Sequence, residues 1–239
     1  DRSTIIRADA LASGNGGTIV VWADTAASVR GKLSAEGGPS GGNGGFVEIS
    51  SGGNLDASLD LSLKAPQGAA GTILYDPDNI QITGGTADGD DDTDALNNNL
   101  INDAGSNVLG SILYADEGAG IPDPFVIYES EIEGTAANII LEARTSISTS
   151  GNFTDNSTDG NPDVLIQSGF NLTMRTRNDS GSGDAAGDIN LTSSGDGNSL
   201  AFETQGAGGI TIEAADPVNG DLASNIIAGN LITAGGNIN

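Results

Sequence analysis

An all-β chain, wound as a right-handed parallel β-helix (a β-solenoid) with an irregular insertion around residues 84–135, is the fold that this sequence predicts. Three observations carry that expectation. First, a glycine-rich corner followed by a short strand recurs along the chain. It reads Gly41-Gly42-Asn43-Gly44-Gly45-Phe46-Val47-Glu48-Ile49-Ser50, and returns at Gly16–Val21, Gly71–Tyr75 and Gly208–Glu213. Second, the corners recur at a rough period: Gly17 to Gly45 is 28 residues, Gly45 to Gly71 is 26, Gly187 to Gly209 is 22 and Gly209 to Gly236 is 27. A unit of that length holding two or three short strands suits one turn of a parallel coil better than a sandwich. Third, glycine makes up 37 of 239 residues and aromatics only 4%. That suits thin stacked layers with small residues at the corners and aliphatics inside.

Composition excludes several function classes. Asp and Glu total 33 against 8 Lys and Arg, a formal net charge of −25. Such a surface repels nucleic acid and anionic lipid, so no nucleic-acid partner is expected. With no Cys and no His, disulfides, thiolate metal sites, cysteine nucleophiles and histidine general bases are all ruled out. No apolar run approaches the ~18 residues of a membrane span, so no membrane insertion is expected. Asp1-Arg2-Ser3 opens no basic-then-apolar leader, and Gly235–Asn239 begins another corner and stops. The expectation is a piece of a longer repetitive chain.

Taken in order, residues 1–83 read as regular rungs. Thr4–Ala8 is a strand, and Thr18–Ala23 is another, with Ile19 and Val21 on one face and Val20 and Trp22 on the other. Val29–Ala35, Phe46–Ser50, Leu55–Leu63, Thr72–Tyr75 and Asn79–Thr83 continue the series, with a turn at Asp76-Pro77-Asp78. The rhythm breaks over 84–135. An acidic stretch, Thr86–Asp94, precedes Ala95–Asn102, where Leu96 and Leu100 stand four apart and suggest a short helix. Val108–Tyr114 and Phe125–Tyr128 read as strands. From 136 to 239 the rungs resume, with strands at Asn138–Ala143, Ser146–Ser148, Val164–Gln167, Phe170–Met174, Asp188–Thr192, Leu200–Glu203, Ile210–Glu213 and Ile226–Ala228. About nine rungs at ~4.8 Å would make a rod on the order of 45 Å long.

Trp22-Ala23-Asp24, Gly31–Gly38, Gly42–Ser50, Ala65-Pro66-Gln67-Gly68 and Gly71–Ile80 together resemble, in order and spacing, the filamentous-haemagglutinin-like exoproteins of two-partner secretion in Gram-negative bacteria. Val126-Ile127-Tyr128-Glu129 and Asn138–Ala143 resemble the segment that follows in many of them. The close match covers roughly a third of the chain. The resemblance implies a right-handed parallel β-helix exported through an outer-membrane transporter, located outside the cell or on its surface. It implies the shaft of an adhesin or surface fibre, with no catalytic residues to carry over.

Candidate chemistry is sparse. Asp88, Asp90, Asp92 and Asp94 have the every-second-residue carboxylates of a calcium loop, so Ca²⁺ is the one cofactor to weigh. The run lacks glycine at the sixth position and glutamate at the twelfth, where Asn99 stands, and a solvated acidic loop is the simpler reading. Arg175 and Arg177 share one face of a strand, which favours surface ion pairs over a substrate clamp. Trp22, Phe46, Tyr75, Tyr114 and Tyr128 lie in strands and read as packing residues rather than sugar platforms. The glycine corners open no Gly-Lys-Ser/Thr phosphate loop. The expected function is a non-enzymatic structural or adhesive segment for adhesion or filament and biofilm formation. Its expected partners are the transporter during secretion, then a host or neighbouring cell surface or polysaccharide, and other copies of itself in fibres. The alternative is a polysaccharide-binding or polysaccharide-degrading β-helix protein.

Overall fold

The computed structural model describes residues 3–85, 124–155, 162–177, 187–192, 200–214 and 224–239. The acidic run Asp88, Asp90, Asp92 and Asp94, the suggested helix at Ala95–Asn102 and the suggested strand at Val108–Tyr114 lie outside those residues. Among the described residues seventeen strands and one helix follow in order. They are β1 (Ile5–Arg7), β2 (Thr18–Ala23), β3 (Ala26–Ser34), β4 (Phe46–Ser51), β5 (Asn54–Ser62), β6 (Thr72–Asp76), β7 (Asn79–Thr83) and β8 (Phe125–Tyr128). Next come α1 (Glu129–Gly134), β9 (Asn138–Ala143), β10 (Ser146–Ser150), β11 (Asp163–Ile166), β12 (Leu172–Thr176) and β13 (Asp188–Leu191). The last four are β14 (Ala201–Thr204), β15 (Ile210–Glu213), β16 (Ile226–Ala228) and β17 (Asn230–Thr233).

The fold is all-β, and every paired strand among the described residues is parallel to its neighbour. One sheet has six strands in the order β2-β4-β6-β9-β12-β15, and a second has five, β8-β7-β10-β13-β16. Two have three strands each, β1-β3-β5 and β11-β14-β17. The registers place like residues over like. Ile19, Val47, Ile73, Ile139, Leu172 and Ile210 form one column of the six-stranded sheet, continued by an isolated bridge to Ile238. Two residues on, Val21, Ile49, Tyr75, Leu141, Met174 and Ile212 form a second column on the same face. These columns, with Ile80, Ile147 and Ile189 of the five-stranded sheet, belong to one contiguous apolar core. Val47, Ile49, Ile73, Leu141, Leu172 and Met174 are fully buried. Each such side chain contributes about 1.5–3 kcal/mol of burial. The outward residues of β2 behave as the alternation requires: Val20 and Trp22 are exposed while Ile19 is buried.

The corners explain the glycines. A Cβ at Gly45 would lie 2.0 Å from the Gly17 carbonyl oxygen, and one at Gly71 would lie 2.2 Å from that of Gly45. Neighbouring layers therefore meet backbone to backbone there. Gly42 adds a positive φ of 122° to the same crowding. Asparagines stand beside the glycines and satisfy corner amides. The Asn15 side-chain carbonyl accepts from the Asn43 amide at 2.8 Å, and that of Asn43 accepts from Ala69 at 3.0 Å. The arrangement returns in the second half, where Asn138 accepts from the Asn171 amide at 3.0 Å and Asn171 from Gly209 at 2.8 Å. Each bond joins one layer to the next, which is the ladder role that stacked asparagines serve.

Several expectations are corrected by the registers. The layer spacing is 28 and then 26 residues in the first half, but 33, then 38, then 28 in the second, so the expected 22–28 holds there only for the last step. The glycine count misled because Gly187 precedes β13 of the five-stranded sheet and Gly209 precedes β15 of the six-stranded one, so they are not equivalent corners. In the first half a layer holds one strand of the six-stranded sheet and one long strand, such as β3. In the second half it holds three shorter ones, such as β9, β10 and β11. Longer layers mean fewer of them. Among the described residues the six-stranded sheet and its terminal bridge give seven levels rather than about nine, and six spacings of ~4.8 Å span about 29 Å. Strand β17 was not anticipated, because Asn230 and Gly229 mask a short Leu231-Ile232 apolar pair. It completes the sheet of β11 and β14.

Strand β8 and helix α1 sit where the layers change. β8 pairs with β7 on the side opposite β10, in the register Ile80↔Phe125. Helix α1 follows at once. Its Glu131 carboxylate accepts from the Tyr128 amide at 2.8 Å, and Thr135 closes its far end on the Ile132 carbonyl at 3.2 Å. Ile132 is buried, pinning the helix to the core. Glu133 accepts from the Leu165 amide at 3.0 Å, and Gln167 donates to the Glu133 carbonyl at 2.7 Å. The helix thereby covers the edge strand β11, whose other side is taken by β14.

Candidate functional site

The densest charged cluster among the described residues lies on the outward face of the six-stranded sheet. Strand alternation puts Glu48 and Ser50 there on β4, Asp76 on β6, Glu142 on β9 and Arg175 on β12. The register aligns Trp22, Ser50 and Asp76 in one column, and Glu142, Arg175 and Glu213 in its continuation. Arg177, just past β12, reaches back into the same cluster.

Glu142 is the hub. Its side chain is 3% exposed, and Arg175 Nε pairs with one carboxylate oxygen while Arg177 Nε pairs with the other at 2.5 Å. Arg177 also spans to Asp76, with a 2.5 Å contact between its Nη2 and the carboxylate. Ser50 donates to Glu48 at 2.9 Å. Burial raises the Asp76 carboxyl to about 6. Glu142 and Glu48 push the same way, and Arg177 opposes them. Asp76 therefore titrates near neutrality while ion-paired.

This arrangement ties three layers together by side chains. Both oxygens of Glu142 are engaged by guanidinium donors. Arg175 and Arg177 act as the ion-pair residues their spacing suggests. Their partners were not legible, because 66 residues separate Asp76 from Glu142 and no local pattern sets that register.

A second buried carboxylate is a structural tie. Glu129 accepts from the Gly85 amide at 2.7 Å and from the Thr154 amide at 3.0 Å, joining the end of β7, the start of α1 and the corner after β10. Burial raises its carboxyl, and those amide bonds oppose the rise. Other ion pairs include two between β3 and β5, Arg30 with Asp56 at 2.6 Å and Lys32 with Asp60 at 3.0 Å, and one between the β6–β7 and β9–β10 turns, Arg144 with Asp78 at 3.5 Å.

The aromatic residues divide. Tyr75 packs against the core, its ring 5.3 Å from that of Phe125. Trp22 does not pack inside: it is 59% exposed on the outward face of the first strand of its sheet. The packing expectation fails for it because β4 lies on one side only. Among the described residues no group of three or more acidic side chains is placed to hold a metal ion, and no helix is long and apolar enough to cross a membrane. No known protein-family model matches this chain, and no curated protein is similar enough to count as a relative.

Proposed function

We propose that this chain is a shaft segment of a secreted, filamentous-haemagglutinin-like bacterial exoprotein, wound as a right-handed parallel β-helix and acting by rigid, repetitive display rather than by catalysis. The observation that carries this reading is the register. Parallel strands one layer apart in sequence stack like residue on like, as in the column from Ile19 to Ile210. Corner glycines at backbone contact and asparagine ties between layers support the same reading. In this proposal the unfolded chain passes an outer-membrane transporter, coils outside the cell, and then meets a host or neighbouring cell surface, its polysaccharide, or further copies of itself.

The test is adhesion. Beads coated with the chain are expected to retain more cells of the same species, or more epithelial cells, than beads coated at equal density with an unrelated acidic β-protein. Equal retention would refute the adhesive role. The alternative of polysaccharide degradation draws on the outward charged cluster around Glu142. It predicts new reducing ends or unsaturated products from acidic polysaccharides.

A further inference from the structure

We infer that the cleft between the far side of β5 and residues 131–137 is a binding site for a neutral oligosaccharide chain. The inference deepens the adhesive reading and rests on it. The cleft exists because the sheet β1-β3-β5 stops at β5. Strand β7, which would run beside it, pairs with β8 and β10 instead. The stretch that carries β6 and β7 meets the β5 stretch at the start, where Asp78 donates to the Gly53 carbonyl at 3.0 Å, and again at the corner, where Gly71 donates to that of Leu63 at 2.9 Å. Between these points they part around a cleft of about 440 Å³. Past Lys64 and Ala136, which line both, a second hollow of about 500 Å³ continues over Pro66 and Phe170. Each volume falls within the range of about 300–1,000 Å³ typical of small-molecule sites.

The lining suits sugar rings. Leu59, Leu61, Ala136 and Ala137 give apolar surface to the first hollow, and Phe170 offers a half-buried ring in the second. Tyr75 lines the first hollow too. Its phenol, protonated at neutral pH like any tyrosine, can donate a hydrogen bond. Polar groups of both signs stand on the rim: Asp60, paired with Lys32 at 3.0 Å; Glu131; and Lys64, which is exposed and has no ion pair among the described residues.

Charge selects the occupant. Of the charged residues that line it, the two carboxylates Asp60 and Glu131 outnumber Lys64, so the cleft does not offset the −25 of the whole chain. An anionic polymer would meet that field with no compensating patch. An apolar peptide would strip water from the three charged groups of the lining and return no hydrogen bonds to them from its side chains. Hydroxyl groups donate to carboxylates and accept from ammonium, while the ring faces cover the apolar wall.

The test measures binding of β-1,4-glucan, β-1,3-glucan and α-1,6-mannan hexasaccharides by calorimetry and ligand-observed NMR. Polygalacturonate oligomers and an extended valine-threonine peptide serve as controls. The wild-type chain is expected to bind at least one neutral hexasaccharide and neither control. Ala136→Trp, at an exposed position shared by both hollows, should abolish binding, and Lys64→Gln should weaken it roughly tenfold. Both variants should keep the wild-type melting temperature. The inference is overturned if no neutral probe binds, if a control binds instead, or if Ala136→Trp binds as the wild type does. Coated beads that adhere while no saccharide binds would sink this site alone. Saccharide binding without bead adhesion would sink the adhesive reading alone.

Discussion

Replacing Gly45 by alanine isolates what holds the layers together. The new Cβ would lie 2.0 Å from the Gly17 carbonyl oxygen and 2.8 Å from the Ala35 Cβ. Ordinary contact begins near 3.4 Å, so the backbones must part by more than an ångström. That movement falls on three bonds: Gly45 to the Ala35 carbonyl at 2.8 Å, Phe46 to that of Gly17 at 3.0 Å, and Thr72 to that of Gly45 at 3.0 Å. At a net ~1 kcal/mol each, their loss destabilises the chain by about 3 kcal/mol. For a chain of this size that is a fall in melting temperature of roughly 6–12 °C. Gly134→Ala is the control, because its Cβ would meet nothing within 4 Å, and its effect should stay within about 0.5 kcal/mol. Thermal unfolding followed by circular dichroism reads both. If Gly45→Ala melts within 2 °C of wild type, the layers are not in backbone contact at that corner and the account of the glycines is wrong.

Three further outcomes are expected. Asp76 holds its proton more tightly folded than unfolded, so its contribution to stability is present below pH ~4 and is lost as pH rises through about 6. Asp76→Asn should therefore flatten that limb of the stability–pH curve, by about 1 kcal/mol once solvent screening is allowed for, and urea midpoints at pH 4, 5, 6 and 7 would show it. Glu129→Ala strips the partner from the Gly85 and Thr154 amides. At about 1–3 kcal/mol for each donor left unsatisfied, it should lower the urea midpoint well beyond the effect of a surface alanine substitution. Millimolar Ca²⁺ should leave the melting temperature unchanged, since the run from Asp88 to Asp94 lacks the glycine and glutamate of a calcium loop. A rise of several degrees would assign the run a metal.

The sequence disclosed the strands better than it disclosed their partners. Where alternation is strict, as in Asn79–Thr83 or Phe46–Ser50, the buried residues are those the pattern names, because a pleated strand offers no other way to hide Ile80 and Ile82. Layer length was legible in the first half and again at the last step, from Gly209 to Gly236, where successive corners carry glycine pairs in the same place. The helix at Glu129–Gly134 was missed although its first turn is acidic and it ends on glycine. Six residues are too few to show a 3.6-residue period. The charged cluster was half legible: Arg175 and Arg177 announce a shared face two residues apart, but Asp76 and Glu142 meet them only through pairings set by the folded sheet.

Helix α1 also bears on how such a chain can vary along its length. A stack of parallel strands normally has to keep the same number of sides, since dropping or adding one bares a row of unpaired amides. Here a carboxylate does the work of the missing neighbour: Glu133 takes the Leu165 amide that a preceding strand would have taken. One helical turn and a half thus lets a layer of two strands give way to a layer of three without a ragged seam. In the proposed coil, girth becomes a local property, adjustable wherever a short acidic helix can be set against a strand edge.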